Sequence, residues 1–270
     1  MHDERFDLSG RVAALTGAGG VLVSAMAREL ARRGAKVAVL DLVPEAAEKV
    51  ADAIRRDGGE AIALRSDVLQ RVSLEENAAA IRAKWGGIDI LVNGAGGNKK
   101  EASTSDTLSF FDLPPEAIRF VFDLNLIGSV LPSQVFGKMM AERKAGVIVN
   151  TSSMNAFRPL TKIPAYSAAK AAVSNFTQWM AVHMAKAGIR VNAIAPGFFV
   201  TDQNRALLTH PDGSMTPRSE KILAHTPMGH FGEPADLIGA LLWLVSDQAA
   251  GFVTGVVVPI DGGFSAYSGV

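Results

Sequence analysis

The chain contains no cysteine, which removes disulfides, thiolate metal centres and cysteine nucleophiles from consideration. Its five histidines show no H-E-x-x-H or other close ligand spacing, so no metal is expected in its chemistry. Neither charge is in excess, since 27 Lys and Arg balance 27 Asp and Glu, and a chain without a basic surplus is not expected to bind nucleic acid. Long apolar runs are also missing. Towards the C-terminal end, Leu237, Ile238, Ala240 and the run from Leu241 to Val245 fall far short of the roughly 20 residues that span a bilayer and fit a buried helix. Acids stand in the opening Met1-His2-Asp3-Glu4-Arg5-Phe6-Asp7, where a secretory leader would carry bases and then apolar residues. The expectation is a cytoplasmic protein without membrane or nucleic-acid partners.

What the chain does have is β–α alternation. Strand-like runs at 11–16, 36–41, 60–66, 88–93, 146–151, 190–195 and 256–260 alternate with helix-period stretches at 21–33, 44–57, 70–85, 114–143, 164–187 and 234–247. Strands joined through helices of this length require right-handed crossovers, hence a seven-stranded parallel sheet with helices on both faces. No linker divides the 270 residues, and 48% hydrophobic content supplies one sizeable core, so a single domain over 1–270 is predicted. The segment 197–233, rich in Pro, Gly, Thr and His without strong periodicity, is expected to cover a substrate.

Tyr166 and Lys170 stand at i and i+4 of an Ala-rich helical run, with Ser153 just past the fifth strand. On one helix face the ammonium would lie near the phenol and favour its ionised form, while Ser153 would hydrogen-bond the same substrate oxygen. Taken alone, the pair is also the pattern of a core tyrosine and a solvated lysine. The first strand ends in Thr16-Gly17-Ala18-Gly19-Gly20, and helix starts at Val21 and Leu22. Glycines there let the backbone approach a pyrophosphate at a helix N-terminus. Asp41 closes the second strand, where an acid accepts hydrogen bonds from ribose hydroxyls and repels a 2′-phosphate; its blander role is to cap the next helix. Leu42 and Val43 follow it, and no Lys or Arg lies between Gly17 and Ala27, so NAD is expected rather than NADP. Asp67-Val68 and Asn93-Gly94-Ala95-Gly96-Gly97 occupy further strand ends, where ligands bind in such sheets.

With these residues in place the chain resembles the short-chain dehydrogenase/reductase family. Thr16-Gly17, Asp67, Asn93-x-Ala95-Gly96, Asn125, Ser153, Tyr166-x-x-x-Lys170 and Pro196-Gly197-x-x-x-Thr201 follow that family's order over nearly the whole chain. The resemblance implies a doubly wound Rossmann fold and an active-site tetrad of Asn125, Ser153, Tyr166 and Lys170. Tyr166 would exchange a proton with the substrate oxygen, Lys170 would also hold the nicotinamide ribose, and Asn125 would order a water. Pro196, Gly197, Val200 and Thr201 would complete the NAD site. Two departures stand out: Val21 and Val23 replace the later glycines of T-G-x-x-x-G-x-G, and Gly94 replaces the second Asn of N-N-A-G. The variant turn, the Gly96-Gly97-Asn98 extension, the Pro196–Arg205 run and the tail from Asp261 resemble the D-mannonate oxidoreductase subgroup, with gluconate 5-dehydrogenases and other polyol dehydrogenases as the competing resemblance.

A sugar acid needs a cation for its carboxylate and hydrogen-bond partners for its hydroxyls. Asn98, Lys99, Asn155, Arg158, Gln203, Asn204 and Arg205 are the candidates, and the sequence does not choose among Lys99, Arg158 and Arg205 as the cation. A silent NAD-binding sensor is the competing class. Finally, 114–143 and 164–187 carry apolar residues on more than one face, which predicts pairing with a second copy. The family resemblance extends this to a homotetramer through 234–260, bringing the tail Phe264 to Val270 near a neighbouring subunit.

Overall fold

The computed structural model describes residues 3–201 and 205–269. Its strands are β1 (Val12–Thr16), β2 (Lys36–Asp41), β3 (Ala61–Arg65), β4 (Ile90–Asn93), β5 (Gly146–Thr151), β6 (Ile189–Pro196) and β7 (Val257–Ile260). All pair in parallel, in the order β3-β2-β1-β4-β5-β6-β7. The chain winds outward from β1 to β3, then returns to lay β4 on the other side of β1. That reversal opens a crevice at the carboxyl ends of β1 and β4, where ligands of such sheets bind.

Strand residues alternate between the two faces, and each face has its own core. Ala13, Leu15, Val37, Val39, Ile90 and Val92 pack under α1 (Val21–Arg32), α2 (Pro44–Arg56) and α9 (Ile238–Val245). Ala14, Ala38, Leu40, Leu91, Ile148 and Val191 pack under α3 (Arg71–Trp85), α5 (Gly128–Arg143) and α6 (Pro164–Ala185). Pro44, Pro115, Pro164 and Pro217 each open a helix, the position where a missing N–H costs nothing.

The expected helix over 114–143 is divided. It forms α4 (Pro115–Phe122), a π-helical turn at Asp123–Ile127, and α5. By length and composition this run could cross a membrane, but half of its most apolar window is buried in the fold, as a core helix requires. The stretch at 234–247 likewise begins as a 3-10 turn, Pro234–Leu237, before α9, and α10 (Asp247–Ala250) follows. Within 197–233, α7 (Arg205–Leu208) and α8 (Pro217–Ala224) form, and Phe199 bridges to Gly232.

Candidate active site

The glycine turn after β1 is shaped by contacts that admit no side chain. Gly17 has φ +65°, and a Cβ on it would lie 2.8 Å from the Ala95 Cα; a Cβ on Gly19 would lie 2.6 Å from the Ala46 Cβ. The Gly19 N–H donates to Asp41 Oδ2 at 2.8 Å, and the Val43 N–H donates to Asp41 Oδ1 at 3.0 Å. Asp41 therefore fixes the turn against β2, while the residue capping α2 is Val43. Gly20 caps α1 without a side chain, leaving the N–H groups of Val21 and Leu22 for an anion. This cradle, with a carboxylate at the end of β2, fits a dinucleotide.

Thr16 takes a different part from that expected. It is fully buried, and its hydroxyl accepts from the Gly94 and Ala95 N–H groups at 3.2 and 3.3 Å. It joins β1 to the turn after β4 and positions the backbone from inside. The two departures from the family pattern meet here: a Cβ on Gly94 would lie 2.5 Å from the Val23 Cγ2 and 2.8 Å from the Thr16 carbonyl oxygen. Val23 fills space that a residue at 94 would otherwise claim. Asn93 is also buried behind the sheet, its Nδ2 facing Asn150 Oδ1 at 2.8 Å and Ser133 Oγ at 2.9 Å. Its side chain braces β4 against β5 and α5, and the bare backbone of Ala95 and Gly96 forms the crevice wall. Asp67 accepts from the Leu69 N–H at 3.0 Å, and buried Val68 packs against Gly128. Gly197 is pressed onto Asp261, where a Cβ would come within 2.6 Å of the Asp261 Cα. Half-buried Val200 follows, and the Thr201 carbonyl accepts from the Arg205 N–H.

The structure brings the four tetrad residues together. Lys170 Nζ lies 5.6 Å from the Tyr166 ring centre and donates to the Thr151 carbonyl at 2.8 Å. A Cβ on Gly96 would lie 2.7 Å from Asn125 Oδ1 and 3.2 Å from Lys170 Nζ, so only glycine leaves this junction open. Electrostatically, the pair departs from expectation. Burial pushes the Tyr166 phenol up, with its hydrogen bond to Ser153 pulling the other way, and burial lowers the Lys170 amino group to about 8. Desolvation outweighs the Ser153 hydrogen bond on the phenol in this arrangement. Asn125 pairs with the backbone of Gly97: its Nδ2 donates to the Gly97 carbonyl at 2.7 Å and its Oδ1 accepts from the Gly97 N–H at 3.2 Å. Its amide clamps the loop after β4.

Among the substrate candidates, Asn155 is buried and donates from Nδ2 to Ser153 Oγ at 3.2 Å. It orients Ser153 from behind, a role the spacing did not reveal. Asn98 is exposed and donates to Ser103 Oγ at 3.0 Å, and Lys99 Nζ sits 5.1 Å from the centre of the Phe120 ring. Gln203 and Asn204 lie outside the described residues, and Arg205 is exposed at the start of α7. Arg158 alone of the three candidate cations lines a cavity of about 650 Å³, bounded by 158–163, Phe198, α8 and Phe264. Phe198 and the basic face of α8 were not anticipated, and Phe264 was expected near a neighbouring subunit rather than against this cavity of its own chain. Among the described residues, no cluster of three or more His, Asp or Glu could hold a metal.

A crevice at the switch point with a glycine cradle, beside a Tyr–Lys pair at a strand end, defines a dinucleotide-dependent oxidoreductase. The family model described as enoyl-(acyl carrier protein) reductase matches residues 20–265, and the chain belongs to the short-chain dehydrogenase/reductase family of NAD(P)-dependent oxidoreductases. The oxidoreductase UxuB of Bacillus subtilis strain 168, itself uncharacterized, is 52% identical over 98% of both chains. A crystal structure from Haemophilus influenzae with NAD bound, provisionally assigned as a D-mannonate oxidoreductase, superimposes with TM-score 0.93 at 52% identity, covering 99% of this chain and 100% of its own. A gluconate 5-dehydrogenase from Burkholderia cenocepacia J2315, in complex with NADP and tartrate, gives TM-score 0.87 at 32% identity over 97% of this chain and 98% of its own.

Proposed function

We propose that the protein interconverts a secondary alcohol and a ketone on a sugar acid, D-mannonate and D-fructuronate, using NAD. The observation that carries this is the junction of Tyr166, Ser153 and Lys170 beside bare Gly96. When bound, the nicotinamide supplies or accepts the hydride. Ser153, held by Asn155, donates a hydrogen bond to the substrate oxygen and orients it. Tyr166 gives its proton to that oxygen during reduction and takes it back during oxidation, in the manner of a positioned general acid and base. Lys170, protonated below about 8, supplies the positive charge that favours proton release from Tyr166. NAD rather than NADP fits Asp41 and the 55% and 51% exposed Leu42 and Val43, which offer a 2′-phosphate one repulsive carboxylate and no cation. The NAD-bound relative from Haemophilus influenzae supports both cofactor and substrate.

A second sugar-acid chemistry, gluconate oxidation at C5, is favoured by the Burkholderia relative. The segment 197–233, with α7 and α8, is proposed to cover the substrate. Turnover of mannonate, fructuronate, gluconate and simple polyols with NAD and NADP separates these possibilities. Mannonate and fructuronate with NAD are expected to lead; preferred gluconate turnover would install the second chemistry, and inactivity throughout would make the protein an NAD sensor. Asp41→Ser combined with Leu42→Arg is expected to move preference towards NADP.

A further inference from the structure

Arg158, Lys162, Arg218, Lys221 and His225 all line one cavity, and among the described residues no carboxylate lines it. Arg218, Lys221 and His225 fall at i, i+3 and i+7 along α8 and its cap, so one helix face presents all three. The charges of Arg218 and Lys221, three residues apart, repel. Lys162 leans towards Asp106 at 3.8 Å, whereas Arg158, Arg218 and Lys221 form no ion pair among the described residues. A helix face that concentrates unpaired cations on a cavity is built for an anion.

The same cavity is tied to both the tail and the reaction centre. Arg158 Nε donates to the Ser265 carbonyl at 3.0 Å, and the Ser265 N–H donates to Asp261 Oδ2 at 2.8 Å. Gly262 and Gly263, at φ +62° and +89°, turn the tail back onto Thr226 and Pro227. Phe264 packs edge-on against Phe198 at 5.2 Å and Tyr267 against His225 at 5.9 Å. The tail thus holds Arg158 through one nitrogen and leaves its terminal nitrogens as donors, suited to the two oxygens of a carboxylate. On the other side the Leu160 N–H donates to Asn155 Oδ1 at 3.3 Å, and Asn155 in turn holds Ser153.

We propose that this cavity is the carboxylate subsite of the substrate, with Arg158 and Arg218 as its donors, Lys221 adding charge and the C-terminal tail positioning Arg158. This rests on the sugar-acid function proposed above and chooses among the cations the sequence left open. The test is calorimetric binding of D-mannonate and of neutral D-mannitol to the NADH-loaded protein, which cannot oxidise either. It is applied to the parent, to Arg158→Gln, to Arg218→Gln and to Lys138→Gln on the exposed face of α5, with thermal melting to verify folding. The parent and the Lys138 variant are expected to bind mannonate more tightly than mannitol, and each arginine variant to lose about tenfold or more for mannonate alone, since charge-assisted hydrogen bonds are lost. Unchanged mannonate affinity in both arginine variants overturns the subsite, as does equal weakening of mannitol or a parent that does not favour the acid. Arginine-dependent binding without turnover of mannonate by the NAD-loaded parent would keep the subsite and reject mannonate as the substrate. Mannonate turnover with arginine-independent binding would do the reverse.

Discussion

Lys170 is 4% exposed, and its burial makes protonation compete with folding. Its amino group sits at about 8 against an ordinary 10.5, so between those values the folded chain holds fewer protons than the unfolded one. Stability then rises with pH across that window: the cost of burying the ammonium is fully present below about 8 and relieved as pH approaches the unfolded value. Lys170→Met carries no such cost, so the melting-temperature difference between variant and parent should shift in the parent's favour from pH 7 to pH 10. A difference independent of pH would show that burial does not perturb this amine. Tyr166 and Lys170 were legible because helical spacing places i and i+4 on one face, and Ser153 because it stands just past a strand-like run; the surrounding family motifs gave the pattern its meaning. Asn155 and Thr16 were named as candidates, but their roles were not legible, because these are hydrogen bonds to residues brought near only by folding, Asn155 with the Leu160 N–H and Thr16 with the turn after β4.

At the scale of elements, strand and helix identities followed from hydrophobic period, and every expected strand formed within a residue or two of its expected bounds. The π turn at Asp123–Ile127 was invisible to that pattern, since an extra residue in a turn leaves both flanking helices with a 3.6 period. It matters because it carries Asn125 to Gly97; π turns recur at functional sites for this reason. The packing of α1 on the turn after β4 was equally hidden: Val23 and Gly94 looked like separate departures until the structure placed them in contact. Gly94→Ala should destabilise by about 1–3 kcal/mol through overpacking, and Val23→Ala added to it should recover part of that loss. Strictly additive melting data would separate the two positions; the Thr16 carbonyl, also within 2.8 Å of the added carbon, sets the part that is not recovered.

At the scale of the whole molecule, α6 displays a stripe that the described residues leave uncovered. Phe176, Trp179 and His183 stack along it at 6.1 and 4.9 Å, and Trp179 and Val182 are 58% and 80% exposed. Phe120 and Ile127 add exposed apolar surface on α4 and the π turn. Two copies pairing through these helices, and two pairs through the outer edge of β7, are the proposed homotetramer. Trp179→Glu with Val182→Glu should shift sedimentation to a smaller species at micromolar concentration, and a parent that sediments as a monomer would refute the assembly. Within one chain the tail packs against Phe198 and His225.

The central claim is that the Tyr166 hydroxyl moves the proton while nearby groups hold cofactor and substrate. The direct measurement compares the parent with Tyr166→Phe for NADH formation from D-mannonate and, separately, for NAD affinity. The variant should lose about 10²–10⁴-fold in rate, the range a positioned acid–base group contributes, with NAD affinity retained because the ring still packs. A variant whose turnover stays within a factor of a few of the parent, with NAD bound equally well, would contradict the mechanism.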